Sequence, residues 1–223
     1  MSYIFFKKGI KRCCYWCFEE DKSKLSKDHL PPQSIFPKQE RQGLQLITAP
    51  ICHNCKKLHH ISDDDNIFLR HMRFWASLSS GIDDASRRLK ELIEYSSLSK
   101  GQEIVQAEDL QVELSTGEII HYLILKGGKE SILRVLDSIA RAFHYRMRGE
   151  IIPTHISPDF KFKPEGSFNP SINLLTIMDP CVVKKQVFEF SPVLYEEAKF
   201  KYLCWEFKFY NLKPLPIYYS YYL

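Results

Sequence analysis

Cys13-Cys14-Tyr15-Trp16-Cys17, then Ser26-Lys27-Asp28-His29-Leu30-Pro31-Pro32, then Cys52-His53-Asn54-Cys55-Lys56-Lys57-Leu58-His59-His60: these three segments decide how the chain is read. Two Cys-x-x-Cys pairs, Cys14/Cys17 and Cys52/Cys55, bracket one Asp-His dipeptide, Asp28-His29. Each pair sets two thiolates on one tight turn, and two such turns supply the four soft ligands that Zn²⁺ takes in tetrahedral geometry. Cys13 in place of Cys14 is the other way to complete the set. The segment between the pairs, residues 18–51, is longer than the roughly 15–20 residues of a plain zinc ribbon. It must house more than a turn, and Asp28-His29 is the feature inside it. A redox role is disfavoured, because that would want one Cys-x-x-Cys beside a βαβ pattern.

Outward from this centre, composition sets bounds. A chain of 223 residues can bury a good core in one or two domains. With 44% hydrophobic and 26% charged residues it falls in the ordinary globular range, which excludes a disordered chain. The net charge of +4 permits a polyanionic partner without selecting one. Seven cysteines, an odd number, with Cys13, Cys14, Cys17, Cys52 and Cys55 close together, point to metal rather than disulfides. Together with the lack of a secretory leader, this gives a reducing, cytoplasmic setting as the expectation. Tyr3-Ile4-Phe5-Phe6 is too short for a signal sequence and reads as a strand. No apolar run approaches a membrane span, so no membrane partner is expected.

The bracketed motif resembles the HNH endonucleases of the His-Me finger superfamily, in their zinc-stapled version: Cys-x-x-Cys, Asp-His-x-x-Pro, Cys-x-x-Cys. The order of the remainder is similar to bacterial stand-alone HNH proteins. The resemblance covers about residues 13–70. It implies a metal-dependent endonuclease that hydrolyses phosphodiester bonds of nucleic acid, DNA ahead of RNA. Restriction or phage defence is the setting it suggests. His29 would be the general base that takes a proton from the attacking water, a role suited to a side chain titrating near neutrality. Asp28 would hold a catalytic divalent cation, Mg²⁺ or Mn²⁺, while Cys14, Cys17, Cys52 and Cys55 hold structural Zn²⁺. Two positions depart from the family pattern. Lys56 stands where an Asn or His usually gives the cation a second ligand, and an ammonium group cannot coordinate one. His60, one helical turn on, is the expected substitute, with His59 as second choice. Lys56 would then touch phosphate, as would Lys57, Lys11 and Arg12. Ile47 stands where an Asn is usual. Lys56 also supports the alternative expectation, a catalytically inactive zinc module that binds nucleic acid or protein.

Elsewhere the patterns are structural. Tyr15 and Trp16 beside Lys7, Lys8, Lys11 and Arg12 fit either a phosphate-facing patch or packing on the knuckle. Leu30 to Pro37 reads as an extended arm. Ser62 followed by three aspartates starts a helix with Ile67, His71, Trp75 and Leu78 on its buried side. A second helix is expected over 83–98, and 96–102 reads as a linker. Leu110–Leu114 and Ile119–Leu125 form a hairpin. The clearest helix runs over 129–148, burying Ile132, Val135, Leu136, Ile139 and Phe143, and ends at Gly149. Arg134, Arg141 and Arg148 line up along it, as a solvated face or as a polyanion stripe. Cys181–Phe190 reads as one strand. Leu203, Trp205, Phe207 and Phe209 alternate on another, and Leu212–Leu223 is an edge strand or docked tail. Cys181 and Cys204 read as core thiols.

The fold expected is α+β. An N-terminal ββα-metal zinc finger over 1–80 leads through a helical connector over 81–100. An antiparallel sheet packed on one long helix follows over 101–223, with scope for a homodimer or a protein partner.

Overall fold

The computed structural model describes residues 9–33, 47–59, 64–69, 71–72, 75, 107–114, 116–125, 128–161, 176–177, 181–184, 188–197, 200–209 and 215–222. The fold is α+β. Near the N-terminus, β1 (Leu25–Leu30) and β2 (Ile47–Cys52) pair antiparallel, with Leu25 opposite Cys52 and Leu30 opposite Ile47. Helix α1 (His53–His59) leaves directly from the end of β2. Ala107–Glu113 (β3) and Ile119–Leu125 (β4) form the expected hairpin, turning at Gly117, whose φ of +83° suits a residue without Cβ.

Helix α2 (Gly128–Arg148) is the centre of the molecule. Its apolar positions Ile132, Val135, Leu136, Ile139 and Phe143 are buried as their spacing predicts. Burial is wider than one face, however: every residue from Val135 to Tyr145 is buried. A helix enclosed on all sides needs neighbours on all sides, and α2 touches β1, β2, β4 and β9. Its end is a left-handed cap. Gly149 takes φ +74° and donates to the Tyr145 carbonyl at 2.8 Å.

Among the described residues the C-terminal sheet has five strands: β5 (Thr176–Ile177), β6 (Cys181–Lys184), β7 (Phe188–Glu197), β8 (Phe200–Phe209) and β9 (Leu215–Tyr222). β5 and β6 both pair with β7, β8 lies on its other side, and β9 forms the edge beyond β8. Phe188, Phe190, Trp205, Phe207 and Phe209 crowd one face. Phe143 of α2 enters among them, 4.2 Å from the Phe190 ring and 6.2 Å from Trp205.

Several expectations are corrected. Cys181–Phe190 is not one strand: β6 folds back on β7 with Cys181 opposite Phe190, and the polar Lys184-Lys185-Gln186 interrupts the apolar run. The buried side of the helical segment 64–75 is rotated from that expected. Ile67 is half-buried, while Phe68 and Met72 are fully enclosed beside His71 and Trp75. Phe68 meets Phe209 edge-on at 5.1 Å, and Trp75 meets Tyr122 of β4 at 4.6 Å, so sheet packing sets the rotation. The arginine row on α2 is solvated only in part. Arg134 is exposed, although it grips Asp64 through two hydrogen bonds of 2.6 and 2.8 Å, and Arg148 is half-buried, but Arg141 is 1% exposed. Of the expected arm, Pro31 sits at a bend, and residues 34–37 lie outside the described residues. Tyr3–Phe6, Ser62, Leu78, the helix over 83–98, the linker over 96–102 and the Cys181 side chain lie outside the described residues.

Candidate metal centre and the adjoining His29 pocket

The first knuckle is shaped by its own backbone. Phe18 donates to the Cys14 carbonyl at 3.1 Å, the Cys14 amide donates to Glu19 at 2.8 Å, and Phe18 takes φ +67°. The Tyr15 amide donates to the Pro50 carbonyl at 3.0 Å, fastening this turn to β2. The second knuckle spans the β2–α1 junction, where the Cys55 amide donates to the Cys52 sulfur at 3.3 Å. The sulfurs of Cys14, Cys17, Cys52 and Cys55 lie within 4.8 Å of one another, and Cys17 and Cys52 are 3.7 Å apart. Tetrahedral ligands about 2.3 Å from a Zn²⁺ would be ~3.8 Å apart. Cys13 is not one of the four; it is buried beside them, its amide donating to the Tyr145 hydroxyl at 3.4 Å.

The electrostatics of the four thiols fit a cation. Burial pushes the Cys55 thiol far up, and the neighbouring thiols push it the same way. Burial would also raise Cys52, but hydrogen bonds from the Cys55 amide and the surrounding thiols outweigh it and leave Cys52 lowered. Four thiolates this close cannot all ionise unless a positive charge sits between them. Among the described residues this is the single grouping of three or more His, Cys, Asp or Glu side chains able to share an ion.

Tyr15 and Trp16, between the first two cysteines, are buried rather than facing a ligand. The Tyr15 hydroxyl donates to Asp28 at 2.7 Å. Burial first, and then the adjacent Asp28 carboxylate, hold this phenol well above its usual range, so it remains a donor. Asp28 is itself buried on β1, where neighbouring residues turn to opposite faces. The Trp16 indole stacks on His59 of α1 at 3.7 Å with rings nearly parallel, and the Arg141 guanidinium lies 4.4 Å from its centre.

His29 faces a pocket lined by Leu30, Pro32, His59, Asp64, Asp65 and three residues of α2: Val135, Ser138 and Ile139. The motif histidine and a histidine of α1 therefore share one cleft with the long helix. Asp64 is not a free acid there: burial would raise its pKa, but the Arg134 and Ser131 hydrogen bonds outweigh it and hold it low. Lys56 and Lys57 are exposed on α1 and line no part of the pocket; Lys11 and Arg12 are exposed too. His60 lies outside the described residues.

Sequence reasoning missed what α2 contributes. Ser138 sits in the pocket wall. Arg141 donates to Asp137 at 2.7 Å and to the Ile152 carbonyl at 2.7 Å, and Tyr219 of β9 donates to the same carboxylate at 2.6 Å. Tyr145 reaches from α2 to the Lys11 carbonyl at 2.5 Å. One signal was present: Ser138, Ala140 and Ala142 flank Ile139 and Arg141, and small residues on several sides of a helix mean close neighbours there. No protein-family model matches the chain, and no curated protein and no solved structure matches it either.

Proposed function

We propose that this protein is a metal-dependent endonuclease of HNH type, acting on phosphodiester bonds of DNA, with Zn²⁺ held by Cys14, Cys17, Cys52 and Cys55. One observation carries the reading. The four sulfurs converge and so tie together the hairpin bearing His29 and the helix bearing His59, and the two imidazoles line one cleft. Zinc here is structural: four cysteine ligands close the coordination shell and leave no seat for substrate. The chemistry then falls to His29. A water oxygen attacks phosphorus, His29 accepts the water proton, and the bond from phosphorus to the leaving oxygen breaks. A divalent ion would neutralise charge on the phosphate; Asp28, with His60 or His59, is the proposed holder, although Asp28 accepts from Tyr15 and does not line the His29 pocket. Lys56, Lys57, Lys11 and Arg12, all exposed, would meet the phosphates of the bound strand. The exposure of Lys56 also counts against the rival reading, in which its ammonium fills the cation's seat.

The test is plasmid cleavage by purified protein in Mg²⁺ and in Mn²⁺. His29→Ala should lower the rate by about 10²-fold or more with the protein still folded and zinc-loaded. Cleavage by His29→Ala at the parent rate would refute the base assignment. Salt-sensitive DNA binding with no cleavage in any divalent ion would replace the reading with a non-catalytic zinc module.

A further inference from the structure

Two polar groups line the cleft without a hydrogen-bond partner among the described residues. Ser138 is 4% exposed, and its Oγ makes no hydrogen bond; even the local option for a helical serine, a carbonyl one turn back, is not taken. The His29 imidazole, on the facing strand, has no hydrogen-bond partner among the described residues. Both line the same pocket. A buried hydroxyl left unsatisfied costs stability, and native proteins resolve this with an ordered water when the site is polar and has room. A general base has a matching need. One ring nitrogen must be held so that the other presents a lone pair in a fixed direction.

We propose that Ser138 is a positioning residue for His29, holding a water in the cleft that hydrogen-bonds the imidazole and fixes its tautomer and aim. The inference rests on the nuclease reading above and adds a residue far from the Cys and Asp-His motifs. Val135 and Ile139 line the pocket beside Ser138, and Asp64, one of its polar residues, is already engaged by Arg134. Leu30 and Pro32 make part of the wall apolar, while His59 and Asp65 are the other polar groups that line it.

The experiment compares Ser138→Ala and Ser138→Thr with the parent full-length, zinc-loaded protein on plasmid DNA in Mg²⁺ and Mn²⁺. Ser138→Ala should lower kcat by about 10-fold or more with KM within twofold of the parent and no loss of thermal stability. Ser138→Thr, which keeps the hydroxyl, should recover most of the rate. Equal loss in both variants, or a change confined to KM, overturns the proposal. A crystal structure of the parent gives an arm independent of activity. An ordered water within hydrogen-bond distance of Ser138 Oγ and a His29 ring nitrogen supports the proposal. A dry cleft, or a Ser138 hydroxyl donating to the Arg134 carbonyl, overturns it. A parent that cuts no DNA yet shows that water would sink the nuclease reading while leaving the bridge standing.

Discussion

Arg141→Met is the substitution that most directly probes how the knuckle is fastened to the rest of the fold. Methionine keeps most of the apolar stem and removes the guanidinium. The parent guanidinium donates to Asp137 and to the carbonyls of Ile152, Pro153 and Ile156, and lies against the rings of Trp16 and Tyr219. Removing it leaves a buried carboxylate and three carbonyls short of a donor. Breaking one side of such a pair costs about 3–5 kcal/mol, a large share of the ~5–15 kcal/mol that holds a domain together. For a chain this long that is a fall in Tm of roughly 10 °C. Burial already raises the Asp137 pKa above its ordinary value, against the opposing pull of Arg141 and the Tyr219 hydroxyl. A group whose folded pKa is raised binds its proton more tightly in the native state. Its contribution to stability is therefore greatest in acid and falls as the pH rises through the folded pKa. Losing Arg141 raises that pKa further, so the deficit of the variant should be largest at pH 8 and shrink towards pH 5. Urea unfolding at both pH values measures this, and Arg141→Met with Asp137→Leu should regain much of the loss. A single variant within about 1 kcal/mol of the parent at pH 8 would refute the reasoning, as would a deficit that grows in acid.

The other outcomes are more local. Purified protein should carry one zinc per chain by elemental analysis, and Cys55→Ser should weaken zinc binding by at least about tenfold; retention of zinc by that variant under chelator would displace the four-cysteine site. Chelation should also change the fluorescence of Trp16, which is stacked between the knuckle and α2. Gly128→Ala would set a Cβ 2.7 Å from Cε1 of the His71 ring, which is buried and held by the Ile67 carbonyl at 2.7 Å. A loss of about 1–3 kcal/mol is expected in urea unfolding, and an unchanged midpoint would mean the ring has room to move.

Local chemistry is what the sequence made legible. Cysteine spacing located the four-cysteine cluster because thiolates need short turns, alternation located β3 and β8 because strand faces have period two, and an apolar run located β4. Helix α2 was legible from Lys129 to its stop at Gly149 through its apolar spacing and that glycine. What failed was anything set by a distant neighbour. Arg141 looks solvated by residue type, yet Trp16 and Tyr219, brought from opposite ends of the chain, enclose it. Phe68 rather than Ile67 faces the core because Phe209 is there to meet it. Ser138 carries no motif at all; only the fold brings it to His29.

Two of these three residues, Arg141 and Ser138, lie on α2, and that bears on how the cleft is built. A two-stranded hairpin and a seven-residue helix bury little surface, so four sulfurs and an ion can fix their mutual placement but cannot wall a cleft. The wall comes from α2. The same helix holds Trp16 through Arg141, the Lys11 carbonyl through Tyr145 and the cleft through Ser138, while Phe143 on it enters the aromatic face of the sheet. A displacement of α2 against the sheet would therefore move the knuckle and the cleft together. The C-terminal sheet thus bears on the geometry around His29 through α2 and through Phe68, which meets Phe209 in the segment that carries Asp64 and Asp65, without a residue of β5–β9 in the pocket lining.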